Sequence, residues 1–376
     1  MPPFPSLPEA GPWTVLGLMS GTSADGADAA LVRVDPAGFR NGSPFLAFLG
    51  HHHEPYPADL RAEVLAAAGD RLPPSRLCVL QRDLGEHHAL TAERLVGALG
   101  QQPHLASLHG QTVQHRPDRG ATLQLADPYL LAEGLHCPVV WDLRRRDLAL
   151  GGQGAPLVPL AELWLHGRAR PWAALNLGGI ANATVWDGQG VRAWDLGPAM
   201  SLLDLGAERW LGRPFDPDGG AATGTVDPVL LEAWLAHRYF RRTPPKSTGR
   251  EVFGPAWLET EAARLEALAL PDRLATLAAF TAEAVARELR QWGPALAPGT
   301  PLWLSGGGGR HRRVRQELAR RLPDLALADD LAFPSGAREA VSWALLGAAS
   351  AAGVPGTLPE VTGAVRAAVL GSWVPG

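Results

Sequence analysis

The 376-residue chain has 34 lysines and arginines together, and only one of them, Lys246, is a lysine. Its two cysteines, Cys78 and Cys137, have no metal-ligand spacing and cannot build a disulfide framework, so a reduced cytoplasmic setting is expected. No apolar run approaches the ~18 residues that a membrane-spanning helix needs, which excludes a membrane partner. Met1 to Pro12 is proline-rich and carries neither the basic nor the apolar region of a signal peptide. There is no surplus of positive charge either: the net charge is −4, which argues against a general nucleic-acid footprint. No linker or low-complexity segment interrupts the chain, and its length is enough for two domains.

What the chain does have is glycine at strand ends. Trp13 to Leu18 reads as a buried strand and Ala27 to Val34 as a second. Between them lie Ser20, Gly21, Thr22, Ser23, Ala24, Asp25 and Gly26, a strand–turn–strand and therefore neither a Walker loop nor a Rossmann fingerprint. Glycines let backbone N–H groups approach an anion, and hydroxyls add donors. Asp25 and Asp28 are of the type that holds magnesium directly or through water. The pattern recurs in the second half, where Trp172 to Leu177 and Ile180 to Trp186 flank Gly178-Gly179, with Asn176 and Asn182 as polar groups. A third cluster, Ser305 to Gly309, follows the strand Pro301 to Leu304 and suits a backbone lying against an adenosine. Three such signals in this order predict an α/β protein of the two-lobed actin-like, sugar-kinase ATPase architecture, with duplicated α/β domains and a nucleotide cleft between them. The expected lobes are 1–150, to which 355–376 returns, and 151–354.

Several other stretches carry candidate chemistry. His51-His52-His53 falls on a strand, where consecutive side chains point to opposite faces, which disfavours a metal tract. Leu105 to Leu108 reads as a strand ending in a Gly-broken polar turn, His109 to His115, of the kind that lines pockets. The charged run Asp142 to Asp147 leads into Gly151-Gly152-Gln153-Gly154, read as a hinge or pocket wall where the halves meet. Asp195 stands in a turn after the strand Val191 to Trp194, beside Gly197-Pro198, as either a candidate general base or a helix cap. Lys246 follows a diproline and precedes Ser247-Thr248, which could clamp phosphates or substrate, or form an ordinary inter-helix loop. Glu339 opens an apolar helix, facing either the helix dipole or a site.

Together, Met19–Gly26, His109–Thr112, Asp142–Pro156, Asn176–Asn182, Asp195–Pro198, Lys246–Glu251 and Val361–Ala364 resemble one family, anhydro-N-acetylmuramic acid kinase of bacterial cell-wall recycling. The resemblance covers about residues 14–374. It implies ATP with Mg²⁺, a cytoplasmic homodimer, and an unusual reaction in which 1,6-anhydro-N-acetylmuramic acid, ATP and water give N-acetylmuramic acid 6-phosphate and ADP. It makes Asp195 the catalytic base. It assigns Gly21, Thr22, Ser23, Ala24, Asp25, Gly26, Ala27, Asp28, Asn176, Gly178, Gly179, Lys246, Gly306, Gly307 and Gly308 to the nucleotide, with Asp25 nearest the metal. His109, Gln111, Thr112, Asp142, Arg145 and Glu339 are then the substrate-binding set.

One base suffices for such chemistry. An inverting glycosidase uses one carboxylate to activate water and an acid to protonate the leaving oxygen; here the γ-phosphoryl group captures that oxygen. The chain departs from the family pattern at Ala199-Met200, where Gly-Asn is usual, at Arg310-His311, where an Asn is usual, and at Ala24, where Leu is common. These departures keep two other readings in view: a kinase for another sugar, and a non-catalytic sugar sensor.

Overall fold

The computed structural model describes residues 7–329 and 333–376, so the first six residues of the proline-rich start lie outside it. The chain first lays down strands β1 (Trp13–Ser20), β2 (Gly26–Val34), β3 (Phe45–Pro55), β4 (Leu105–Arg116), β5 (Ala121–Leu125) and β6 (Val139–Trp141). It then forms β7 (Trp172–Leu177), β8 (Ile180–Trp186), β9 (Val191–Pro198), β10 (Pro301–Ser305) and β11 (Ala326–Asp329). It ends with β12 (Ser372–Val374).

These strands form two compact units. The first runs to Arg168 and resumes at Phe333; the second spans Ala169 to Asp329. The first sheet has the order β12-β6-β4-β1-β2-β3, with β5 added to β4. Strands β1, β2 and β3 form an antiparallel meander, and β4 and β6 continue parallel to β1. The second sheet has the order β11-β10-β7-β8-β9; again three strands form the meander and two continue in parallel. The same topology built twice is the duplication that the paired glycine hairpins predict.

Burial on both faces explains the apolar run of β1, every residue of which is buried. Leu16 and Leu18 pack with Leu31, Leu95 and Leu108 on one face. On the other, Gly17 lies under the helix Arg338–Ala351 so closely that a Cβ would come within 1.9 Å of Ala340 O. That contact places the helix, and Glu339 with it, in the first unit. The helix Val158–His166 packs on the same helix. The division therefore falls at 168/169 and between the described residues Asp329 and Phe333, rather than at 150/151 and 354/355. The core of the second unit is aromatic, with Phe240, Phe253 and Phe280 fully buried behind Leu175, Val185 and Trp194.

Two turn expectations are corrected. Strand β4 runs on through His109 to Arg116, because Gly110, at φ +77°, lets the chain pass against Leu125 O without ending the strand. Likewise β9 continues to Pro198, so Asp195 is a strand residue and not part of a turn.

Candidate active site

The first hairpin turn is anchored from beneath. Ser20 Oγ lies 2.9 Å from His88 Nε2, and the Tyr56 hydroxyl sits 2.9 Å from Ser20 Oγ and 3.1 Å from Gln111 Oε1. Gln111 Nε2 donates to Gly21 O at 3.1 Å. Burial takes His88 down to about 3, so it stays neutral in this network. Gln111, expected at the substrate, is instead a buried strut of the turn. Thr112, expected there too, accepts a hydrogen bond from Gln124 in the β4–β5 pair.

Only part of the expected nucleotide stretch is open. Thr22, Ser23 and Asp25 are exposed, whereas Ala24, Gly26 and Ala27 are buried. The Asp28 carboxylate is already engaged, with Oδ1 2.7 Å from His51 Nε2 and 3.1 Å from His53 Nδ1. His52, on the other face of β3, pairs with Glu54 at 2.9 Å. Asp28 is thus corrected from a nucleotide contact to a strand anchor. Asp25 Oδ1 accepts from the Ser23 hydroxyl at 2.7 Å, and Oδ2 takes no part in that bond. Among the described residues no group of three or more His, Cys, Asp or Glu side chains could hold a metal. Magnesium carried on nucleotide phosphates keeps several waters and needs only one or two carboxylates, which Asp25 fits.

A second cluster in this unit centres on Arg144, which sequence reading passed over in favour of its neighbour. Arg144 Nε donates to His109 Nε2 at 3.1 Å, Nη1 donates to Gly154 O at 2.9 Å, and the guanidinium lies 5.0 Å from the Trp343 ring centre. His109 donates from Nδ1 to Gly110 O at 2.7 Å and stands edge-on to Trp343. Burial, then Arg144, hold the imidazole well below its ordinary value and therefore neutral. Burial also lowers Arg144 to about 10, while Glu339 and Asp147 favour its charge. Glu339 is open to solvent yet crowded by protein. That crowding raises its carboxyl, Arg144 opposes the shift, and Asp28 adds to it.

The expected hinge at Gly151–Gly154 is clamped. Buried Asp147 accepts from Gly154 N at 2.7 Å and from the Thr362 hydroxyl at 2.7 Å, and Gln153 N donates to Thr362 O. Glycine is needed there because a Cβ on Gly152 would meet Asp147 Oδ2 at 2.2 Å. Asp142 and Arg145 pair with each other at 3.1 Å and line a concavity of about 700 Å³ with Thr122, Arg146 and Ser372. Arg145 is thus engaged by Asp142, whereas Arg144 turns to His109 and Gly154, and Leu143 between Asp142 and Arg144 is buried. No periodicity in the run of three arginines marks which one is held.

In the second unit, the register aligns one polar row across four strands. Ser305 pairs with Asn176, Asn176 with Asn182, and Asn182 with Asp195. Directly paired residues share a face, so Asn176, Asn182 and Asp195 point the same way. Asn182 enters the candidate set on that register. The third glycine cluster packs on the second hairpin. Gly306, at φ +77°, has room only for hydrogen beside Leu177, and a Cβ on Gly308 would meet Leu177 and Met200 side chains at 2.7 and 2.8 Å. Gly308 is therefore a packing residue, and Gly307, exposed with nothing within 4 Å, is the open position of the three.

Asp195 is half-buried, and its Oδ2 accepts from Thr248 N at 2.9 Å. Burial raises its carboxyl to about 6, against the Thr248 amide and helped by the Glu251 charge. A carboxylate so tuned remains ionised at neutral pH while being a better base than an ordinary one. Lys246, expected at the nucleotide, is a correction: its ammonium bonds Glu288 Oε1 at 2.7 Å and Tyr239 O at 3.3 Å, and neither side chain of the ion pair has any exposure.

The model of the anhydro-N-acetylmuramic acid kinase family matches residues 13–376. This chain belongs to that family. A relative so named from Parasynechococcus marenigrum is 45% identical over 376 residues, covering 95% of this chain and 98% of its own. One from Cupriavidus pinatubonensis is 42% identical over 377 residues, covering 96% and 98%. Among solved structures, component A of (R)-2-hydroxyglutaryl-CoA dehydratase from Acidaminococcus fermentans aligns at a TM-score of 0.46 and 10% identity, covering 90% of this chain and 99% of its own. A ROK hexokinase from Thermus thermophilus aligns at 0.38 and 15%, covering 88% and 97%.

In this family member the two main departures have physical explanations. Ala199 N, Met200 N and Ser201 N donate to the carbonyls of Gly179, Gly178 and Gly179 at 3.0, 2.8 and 3.1 Å. The first turn of the Met200–Leu211 helix is thereby satisfied by the hairpin without a side-chain amide, and Met200 fills the space beside Gly308. His311 takes over the capping role open to an Asn, accepting from Val314 N at 3.3 Å at the start of the Arg312–Arg321 helix.

Proposed function

We propose that the chain catalyses coupled hydrolysis and phosphorylation of 1,6-anhydro-N-acetylmuramic acid, giving N-acetylmuramic acid 6-phosphate and ADP from ATP and water. The observation that carries the reading is Asp195, a strand carboxylate raised to about 6 and fixed by the Thr248 amide. Asp195 takes a proton from water as the water oxygen bonds to the anomeric carbon. The bond from that carbon to the bridging oxygen breaks, and the oxygen bonds to the γ-phosphorus as ADP departs. The proton on Asp195 then returns to solvent.

The other roles follow from exposure and charge. Backbone N–H groups of Gly178 and Gly179 serve the phosphates, their carbonyls being taken by the Met200–Leu211 helix, and the exposed turn at Thr22 and Ser23, with Gly21, supplies further donors. Gly307 lies against the adenosine. Glu339 and Arg144 orient the sugar, with His109 holding the guanidinium. Asp25 would hold Mg²⁺ through water, and the ion supplies charge neutralisation for phosphoryl transfer. A cytoplasmic homodimer is part of the same reading; light scattering on the purified protein tests the dimer.

The test is turnover in ¹⁸O-water with wild type and Asp195→Asn. The expected result is label at C1 of a 6-phosphorylated product, lost in the variant by about 10²–10⁴ in rate. Turnover of a free sugar with no turnover of the anhydro-sugar would favour a kinase for another sugar. ATP binding without any product would favour a sensor.

A further inference from the structure

We infer that the buried Lys246–Glu288 pair is a positioning element for Asp195 and that Lys246 is not a phosphate contact. The inference rests on Asp195 being the base. Strand β9 is the free edge of the second sheet, so the backbone N–H and C=O of an outward-turned residue there need partners from elsewhere. Asp195 finds both. Its N–H donates to Lys246 O at 3.3 Å, and its carbonyl accepts from the Tyr239 hydroxyl at 2.6 Å.

These two partners are joined to each other, because Lys246 Nζ donates to Tyr239 O at 3.3 Å. The result is a closed ring: Asp195 to Tyr239, Tyr239 to Lys246, and Lys246 back to Asp195. Glu288, on the helix Leu270–Trp292, ties the ring to the strand. Its Oε1 receives Lys246 Nζ at 2.7 Å, and its Oε2 receives Trp194 Nε1 at 3.1 Å, one residue before the base.

The ammonium is fully used. Beyond its two acceptors it faces the rings of Tyr239, at 4.7 Å, and Trp292, at 5.7 Å. Two residues after Lys246, Thr248 delivers the amide that holds Asp195 Oδ2, so fixing Lys246 fixes that amide as well. A buried ion pair is weak support for stability, since apolar replacements of equal volume are often neutral. The observed use of this one is geometric: it fixes the segment, 51 to 53 residues beyond Asp195, that presents Lys246 O to the Asp195 backbone N–H and Thr248 N to its carboxylate.

The experiment compares wild type, Asp195→Asn, the double variant Lys246→Met/Glu288→Leu, and Tyr239→Phe, a milder break in the same ring that spares the ion pair. Loss of turnover in Asp195→Asn comes first, and survival of turnover there would remove the base reading itself. Given that loss, the double variant is expected to lower kcat about 10–100-fold with KM for ATP within about twofold. The acid limb of its pH profile moves upward as the Thr248 amide loosens, and Tyr239→Phe shifts the same limb in the same direction by less. A rise in KM for ATP of about tenfold or more with the acid limb unmoved would overturn the inference in favour of a phosphate contact. A fall in melting temperature with kcat and pH profile unchanged would overturn it in favour of simple packing. If the double variant does not fold, Tyr239→Phe decides alone: an unmoved acid limb and unchanged kcat refute the inference.

Discussion

Replacing Asp195 by Asn should lower turnover by about 10²–10⁴ and, at neutral pH, make the protein more stable. Folding raises this carboxyl from its ordinary 3.8 to about 6, mainly by burial. The folded state therefore prefers the protonated form, and its stability is full below pH 4 and declines as pH rises through 6. At ~1.4 kcal/mol per tenfold change in proton affinity this sets a ceiling near 3 kcal/mol, and partial solvation of a half-buried group reduces it to about 1–2 kcal/mol. Asn keeps an acceptor for the Thr248 amide and has no charge to desolvate or to repel Glu251. Thermal unfolding of wild type and variant from pH 4 to pH 8 reads the effect. The two curves should coincide near pH 4 and separate through pH 6, with the variant several degrees higher above pH 7, since ~1 kcal/mol moves a domain of this size by about 2–4 °C. Parallel curves, or a variant less stable at pH 7.5, would refute the reasoning that burial sets the basicity of Asp195. The wild-type rate should show an acid limb with an apparent midpoint near 6, because the base must be ionised.

Other outcomes follow from single contacts. Arg144→Lys should lower kcat/KM for the sugar at least about tenfold, because a lysine cannot keep both the His109 and Gly154 bonds; the paired and exposed Arg145→Lys should stay within about twofold, and steady-state kinetics on both variants checks the contrast. Gly17→Ala should destabilise the protein by about 3 kcal/mol in urea unfolding, since its Cβ has no room under the Arg338–Ala351 helix.

How much of this was legible depended on how local the cause was. The hairpins, and the duplication they announce, could be read because a glycine turn between two apolar strands is a signal within about twenty residues, as in Trp13–Val34. Asp195 was legible as a carboxylate held beside Gly197-Pro198, although the strand extends past it because Asn182 and Ile180 on β8 still have partners there. Lys246 was misread because its partner, Glu288, lies 42 residues further along, on a helix whose sequence shows only an amphipathic pattern. The unit boundary was misplaced for the same reason: the contact that assigns the Arg338–Ala351 helix joins Gly17 to Ala340. Arg144 differs from Arg145 only in what folds around it.

The glycine-rich turns themselves divide along physical lines that sequence does not expose. Gly26 is buried at the start of β2, and Gly306 and Gly308 lie against the second hairpin, so their lack of a Cβ serves contact between protein segments. Gly178, Gly179 and Gly307 have no protein atom within about 3.7 Å of a would-be Cβ. In the proposed reading it is this second set, of the glycines compared, that leaves room for a phosphate or a nucleoside. The distinction predicts two mechanisms of failure for the same Gly→Ala change. At Gly306 and Gly308 the cost falls on packing of the second unit. At Gly178, Gly179 and Gly307 it is expected to fall on nucleotide affinity with stability little changed, because there the added methyl group makes at most ordinary contact with the protein; thermal unfolding beside ATP binding separates the two.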